Sequence, residues 1–251
     1  MVYFITGASS GIGRECAKLI SKKGEKVALF SRREELLKEL EMEIKEKGGQ
    51  ALAIKGDVRY IEDLKEGMKK AKEYFGELDN LLCAAGIGYY SPFIEQEHWQ
   101  FKEMIEINTI GVINSVYAFL PFILNKGGKI GIISSIQGKM GFKNMCVYGA
   151  SKFSLQGFVQ GLREELKIYN IKISLVCPGT VETPFLDYAG RKHIPPQSRF
   201  LKVLSAEEVA EITIEAMEKG KKETIVPFMA KLFLKFHDIF PQFAEWLFYK
   251  L

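Results

Sequence analysis

The sequence predicts an α/β protein: a doubly wound sheet of seven mostly parallel strands with helices on both faces, followed by a C-terminal helical extension. Three observations carry this. Short β-rich apolar runs alternate with amphipathic helical stretches along the chain, the pattern of βαβ crossovers. The first run leads straight into a glycine-rich turn and a helix, the parts of a dinucleotide site. The 251 residues suit one large domain with a sizeable core.

Val2 to Thr6 is the first strand, and Gly7-Ala8-Ser9-Ser10-Gly11-Ile12-Gly13 is the turn after it. Glycines there let the backbone bend tightly and approach a pyrophosphate, whose charge is favoured by the N–H groups and dipole of the helix that follows. Val27 to Phe30 is the second strand. Leu36, Leu37, Leu40 and Ile44 then share a helical face that ends at Gly48-Gly49. Ala51 to Lys55 is the third strand, with Asp57-Val58 opening the next loop. A stripe from Ile61 to Phe75 is closed by Gly76, and Leu78 to Cys83 is the fourth strand.

A long helical pattern runs from Glu97 to about Leu124 through Asn108 and Gly111, before a fifth strand from Lys129 to Ser134. Val147 to Tyr169 reads as another long helix, and Ile171 to Cys177 as a sixth strand stopped by Pro178-Gly179. Residues 184 to 204 lack clean periodicity, carry Pro195-Pro196 and read as a loop. Ser205 with Glu208 forms a capping box for a helix through Met217, and Thr224 to Val226 is the seventh strand. The domain is thus expected over residues 1–227, with 228–251 an amphipathic helical extension packed on it.

Composition excludes several functions. Lys plus Arg number 35 against 31 Asp plus Glu, an excess too small to indicate nucleic acid. Cys16, Cys83, Cys146 and Cys177 are scattered without a C-x-x-C pair or Cys/His cluster, so neither disulfides nor a metal site is implied, and they read as small buried hydrophobes. His98, His193 and His237 are isolated. The apolar strand at Val2 follows no charged leader or cleavage site, so a cytoplasmic address is expected.

Two local features carry chemistry. Tyr148 and Lys152, four residues apart on a helix, share one face about 5 to 6 Å apart at Cβ. A free phenol, with a pKa of about 10, is a weak acid/base at neutral pH, and an adjacent ammonium is expected to lower it. At the end of the second strand, where an acidic residue would grip the ribose 2′-hydroxyl of NAD, the chain reads Ser31-Arg32-Arg33. Serine leaves room and the arginines offer forked donors for a 2′-phosphate, which favours NADP(H) over NAD(H).

With these motifs the chain resembles the short-chain dehydrogenase/reductase family, of the compact single-domain type, over roughly residues 1 to 230. Thr6-Gly7-x-x-x-Gly11-x-Gly13 fits its cofactor motif, with Ser9, Ser10 and Ile12 inside the turn. Asp57-Val58 fits the pair that contacts adenine, and Asn108 the asparagine of the long helix. Ser134-Ser135 fits the serine motif with Ser135 catalytic, and Pro178-Gly179 through Val181 to Thr183 fits the stretch beside the nicotinamide. The usual N-N-A-G appears as Cys83-Ala84-Ala85-Gly86, which keeps Ala85 and Gly86 near the cofactor and puts loop rigidity in doubt.

The resemblance implies hydride transfer between NADP(H) and a carbonyl or alcohol. Tyr148 would be the acid/base, Lys152 would lower its pKa and hold the nicotinamide ribose, Ser135 would polarise the substrate oxygen, and Asn108 would support a water-linked relay. It also implies a homodimer or homotetramer. Apolar groups in loops 87–93, 137–145 and 185–201, among them Tyr89, Tyr90, Phe93, Met140, Phe142 and Met145, suit a lipophilic substrate. The tail carries Leu232, Phe236 and Phe240 at helical spacing and Pro241 able to start a second helix. It is too interrupted for a membrane span of about 20 residues. Packing or a lid over the substrate is the first expectation for it, with a subunit contact or peripheral membrane contact beside it. The rival reading is a non-catalytic NADP(H)-binding sensor or scaffold that uses this tail for a partner.

Overall fold

The apolar runs become strands and the amphipathic stretches become helices, alternating one for one from β1 to β4. In order they are β1 (Val2–Thr6), α1 (Gly11–Lys22), β2 (Lys26–Ser31), α2 (Glu34–Glu46), β3 (Gln50–Lys55), α3 (Ile61–Phe75) and β4 (Asn80–Cys83). There follow α4 (His98–Ile105), α5 (Gly111–Ile123), β5 (Gly128–Ile133), α6 (Cys146–Leu166), β6 (Ile171–Pro178), β7 (Val181–Glu182) and α7 (Pro184–Ala189). The last are β8 (Leu204–Ser205), α8 (Ala206–Lys219), β9 (Glu223–Val226), α9 (Phe228–Ile239) and α10 (Pro241–Lys250). The computed structural model describes residues 1–194 and 202–250, with 247–249 as backbone only.

Seven strands form one sheet in the order β3-β2-β1-β4-β5-β6-β9, and every neighbouring pair is parallel. The order reverses at β1, so the crossovers leave to opposite faces from β1 and β4. A crevice opens at the carboxyl ends of those strands, where such sheets bind ligands. Alternation along β1 sends Phe4 to one face and Ile5 to the other. Phe4 joins a cluster with Phe30, Met68, Phe119 and Val159 under α3, α5 and α6. Ile5 joins Ile20, Leu29, Leu40 and Met217 under α1, α2 and α8.

The long helix expected from Glu97 to Leu124 is divided. Between α4 and α5 the turn Glu106–Ile110 is wound as a π-helix, which inserts one extra residue into the spiral. A Cβ on Gly111, just after it, would stand 2.6 Å from Val58 Cγ2, so the helix lies close against the loop after β3. The stretch His98–Ile123 is long and apolar enough to cross a membrane by length and composition, but half of its apolar window is buried in the fold.

The loop expected at 184–204 begins as a helix. Pro184 sits in the first turn of α7, where a missing N–H costs least, and Leu186 and Ala189 are buried. Six residues are too few for periodicity to reveal. At its far end β8 pairs with β7, while Pro195-Pro196 and Leu201 lie outside the described residues. Ser205 and Glu208 form the expected capping box, Glu208 N donating to Ser205 Oγ at 3.0 Å and Ser205 N to Glu208 Oε2 at 2.9 Å.

In the tail, Pro241 opens α10, and the inner contacts of the hairpin come from Ala230, Leu234 and Ala244. Of the stripe read from the sequence, Leu232 and Phe240 are exposed, while Phe236 is half-buried with its ring centroid 5.6 Å from that of Phe240 and 6.0 Å from that of Phe243. The cysteines also need one correction: Cys146 is exposed, while the other three are buried.

Candidate active site

The glycine turn is shaped by contacts that admit no side chain. Gly7 has φ +70°, and a Cβ on it would stand 2.5 Å from Ala85 N. A Cβ on Gly13 would meet the Gly7 carbonyl oxygen at 2.5 Å, so Gly13 seats α1 against the turn. The N-terminus of α1 has no acidic residue in its first turn and no capping side chain from Ser10. Its N–H groups and positive dipole end are left available to an anion, which fits a pyrophosphate.

At the carboxyl end of β5, Ser134 and Ser135 lie just past the strand. Ser135 Oγ donates to Gln137 Oε1 and accepts from Gln137 N at 3.2 Å. On the facing helix α6, Tyr148 and Lys152 are both buried, 6% and 4% exposed. Lys152 Nζ donates to the Ile133 carbonyl at 3.1 Å and stands 5.9 Å from the Tyr148 ring centroid. Burial pushes the Tyr148 phenol up to about 12, while the Ser135 and Tyr90 hydroxyls pull it down. Burial brings Lys152 down to about 8, against an opposing influence of Cys177.

Burial thus moves both groups toward their neutral forms, the phenol upward and the amine downward, and the groups that favour the ionised phenol are the two hydroxyls. Sequence spacing identifies the right neighbour but carries no information on how deeply both groups are desolvated.

Asn108 sits in the π turn and is fully buried. Its Oδ1 accepts from Ile87 N at 2.8 Å, and its Nδ2 donates to Ile87 O at 2.8 Å and to Ser151 Oγ at 2.9 Å. It thus clamps the loop after β4 onto α6. A Cβ on Gly86 would lie 3.4 Å from Asn108 Oδ1 and 3.5 Å from Lys152 Nζ, so all three meet at one point.

The far end of the crevice is crowded with charge. Arg33 reaches over the glycine turn, donating to Ser9 Oγ at 3.1 and 2.8 Å and to Ser10 Oγ at 2.6 Å. Arg32 pairs with Glu103 at 3.5 Å. Asp57 is gripped by the Arg59 fork, with Nε at 2.9 Å and NH2 at 2.6 Å. Burial raises its carboxyl, but the Arg59 contacts outweigh it and hold the group below its usual value. Neither Glu103 nor Arg59 is signalled by a motif; both come to the site only through folding.

One cavity of about 480 Å³ joins these parts. It is lined by Gly7, Ser9, Ser10, Gly11 and Ile12 of the turn, by Ser31, Arg32, Arg33, Asp57 and Val58, and by Ala85 and Gly86. Ser135, Tyr148, Lys152, Pro178, Gly179, Val181 and Thr183 close the other end. Two residues singled out in the sequence do not line it: Gly13, turned to Gly7, and Asn108, turned to Ile87. Of the apolar loops, Ile87, Tyr89, Tyr90, Met145 and Phe185 line the cavity. Met140 and Phe142 are packed behind it, and Phe93 stacks on Phe101 with ring centroids 5.2 Å apart. Among the described residues no tail side chain lines the cavity, so the hairpin is not a lid in this arrangement.

The reversed parallel sheet, the constrained glycine turn and the crevice at its end define a nucleotide-binding protein of the doubly wound class. The family model for the short chain dehydrogenases matches residues 1–193, and the chain belongs to that family. An uncharacterized oxidoreductase of Listeria monocytogenes is 37% identical over 189 residues, which are 74% of this chain and 76% of the relative. A solved alcohol dehydrogenase from the archaeon Thermococcus sibiricus, complexed with 5-hydroxy-NADP, superposes with a TM-score of 0.79 at 27% identity, over 90% of this chain and 95% of that one. A short chain dehydrogenase/reductase from Burkholderia phymatum in complex with NAD gives a TM-score of 0.86 at 25% identity, over 96% and 94% of the two chains. The protein is an oxidoreductase of the short-chain type.

Proposed function

We propose that the protein is an NADP(H)-dependent reductase or dehydrogenase acting on a carbonyl or hydroxyl group of a lipophilic small molecule. The observation that carries this reading is the convergence of Ser135, Tyr148 and Lys152 at one end of a cavity whose other end is a glycine turn under an open helix N-terminus. Gly7, Ser9, Ser10, Gly11 and Ile12 would hold the pyrophosphate, Asp57 and Val58 the adenine side, and Pro178, Gly179, Val181 and Thr183 the nicotinamide side. The bound nicotinamide would supply or accept the hydride.

Each residue of this chain then has a definite task. Negative charge develops on the substrate oxygen during reduction and must be met by donors and a proton. The Tyr148 hydroxyl delivers that proton, and Ser135 Oγ donates to the same oxygen once Gln137 releases it. Ser135 and Tyr90 favour the ionised form that Tyr148 passes through. Lys152, anchored on the Ile133 carbonyl, presents its remaining N–H groups to the ribose hydroxyls. Asn108 holds the Ile87 backbone in register beside it. Ile87, Tyr89, Tyr90, Met145 and Phe185 supply the apolar wall, which excludes water and selects a lipophilic partner.

The arginine forks at the end of β2 favour the 2′-phosphorylated cofactor. Following NADPH absorbance with a panel of aliphatic and aromatic ketones tests the activity. Tyr148→Phe is expected to lose about 10²- to 10⁴-fold in turnover, and equal turnover by that variant would overturn its role. Affinities for NADPH and NADH, before and after Arg32→Ala, test the cofactor; comparable affinities in the native protein would overturn the preference.

A further inference from the structure

Glu103, on α4, gathers donors from three separate parts of the chain. Its Oε2 accepts from the Tyr89 hydroxyl at 2.6 Å. Its Oε1 stands 3.5 Å from Arg32 NH1 and 3.9 Å from Arg59 NH1. Arg32 lines the cavity at the end of β2, and Tyr89 lines its apolar wall, so a carboxylate on a helix outside every cofactor motif is tied to both regions. The Arg59 fork is already committed to Asp57. Of the two guanidinium groups beside Glu103, Arg32 is therefore the one left to exchange partners.

Resting on the NADP(H) reading, we propose that Glu103 is a specificity-determining residue, whose carboxylate competes with a nucleotide 2′-phosphate for Arg32. The Arg32 side chain is 50% exposed and that of Glu103 22%, so the pair is partly screened and can be opened at modest cost. A phosphate offers a guanidinium a stronger, forked partner, but the displaced carboxylate stays nearby, held by Tyr89, and repels the incoming charge. A nucleotide with a free 2′-hydroxyl leaves the Arg32–Glu103 pair closed and meets neither penalty. Glu103 thus lowers the preference for the phosphorylated cofactor that Arg32 creates.

Glu103→Gln removes the charge while keeping an oxygen that can accept from Tyr89. Dissociation constants for NADPH and NADH are measured by titration on the native protein, Glu103→Gln, Arg32→Ala and the double variant. Glu103→Gln is expected to raise the preference ratio, Kd for NADH divided by Kd for NADPH, roughly two- to fivefold, and to change it by less than that in the Arg32→Ala background. An unchanged or lowered ratio in Glu103→Gln overturns the inference, as does an equal rise in the double variant. A native ratio near one that Arg32→Ala does not move would instead sink the cofactor reading itself, so the two failures are told apart by the Arg32→Ala arm.

Discussion

The ring of Tyr90 stands edge-on to that of Tyr148, their centroids 5.3 Å apart at 71°, and both rings are buried against Phe185. Burial pushes Tyr90 well above the ordinary tyrosine range, with Tyr148 adding to the effect, while the Tyr90 hydroxyl lowers Tyr148. Tyr90 therefore keeps its proton and acts as donor to its neighbour. Tyr90→Phe preserves the edge-on contact and removes the donor. It is expected to raise the Tyr148 pKa and so to cut alcohol oxidation several-fold at a fixed pH, since the ionised fraction falls about tenfold for every pH unit by which the phenol titrates later. The pH–rate profile of the variant checks this; a profile superposable on the native one would show that Tyr90 serves packing alone.

Gly7 meets Ala85 across the ends of β1 and β4, and its φ of +70° already disfavours any other residue. Gly7→Ala combines a left-handed backbone with a Cβ 2.5 Å from a main-chain nitrogen, and backbone cannot yield as a flexible side chain would. A loss of more than about 2 kcal/mol of stability is expected. Urea denaturation followed by circular dichroism measures it, and a change below about 0.5 kcal/mol would contradict the close approach.

The same glycine shows what could be read ahead of the structure. Gly7, Gly11, Ser135, Tyr148 and Lys152 were legible because each lies at a fixed offset from a strand end or on one helical turn, and local geometry then brings them to one crevice. The sheet was legible for the same reason, since period and turn residues report on neighbours in sequence. Glu103 was not legible: it meets Arg32 at a separation of 71 positions in sequence, through packing of distant elements that no local pattern encodes. The desolvation of Tyr148 and Lys152 was hidden too, because it depends on burial from several elements at once. The outward turn of Leu232 and Phe240 was hidden because Ala230 and Leu234 offered an equally helical inner stripe.

Asn108 bridges three elements with hydrogen bonds of 2.8 to 2.9 Å, two of them to the Ile87 backbone. Asn108→Ala leaves the half-buried Ile87 N–H and C=O without that partner. Each unmet buried group costs about 1 to 3 kcal/mol, and with both half-buried a loss near the lower end, about 2 kcal/mol, is expected. Because Ile87 begins the loop that carries Tyr89 and Tyr90, KM for the ketone substrate is expected to rise together with the loss of stability. Equilibrium denaturation and steady-state kinetics on the same preparation check both. A variant as stable as the native protein would show that the clamp holds nothing and would leave only a chemical role for Asn108.

Lys152 gives the fold a stability that depends on pH, and its sign follows from the direction in which burial moves the amine. Burial lowers its pKa from 10.5 to about 8, so the native state penalises the protonated form. Below pH 8 the amine is protonated in both states and the penalty is present in full, about 3 kcal/mol as an order of magnitude. Between about pH 8 and 10.5 the unfolded chain binds the extra proton, so stability contributed by this group rises with pH. Above 10.5 both states are neutral and the penalty is gone. Lys152→Met removes the titration and forgoes the hydrogen bond to the Ile133 carbonyl, a cost of about 1 kcal/mol that does not vary with pH in this window. The stability advantage of the variant over the native protein is therefore expected to be largest near pH 7 and to shrink steadily toward pH 10.5. Urea midpoints of both proteins across that range measure the difference, and a gap that stays constant with pH would show that Lys152 keeps an ordinary pKa in the folded state.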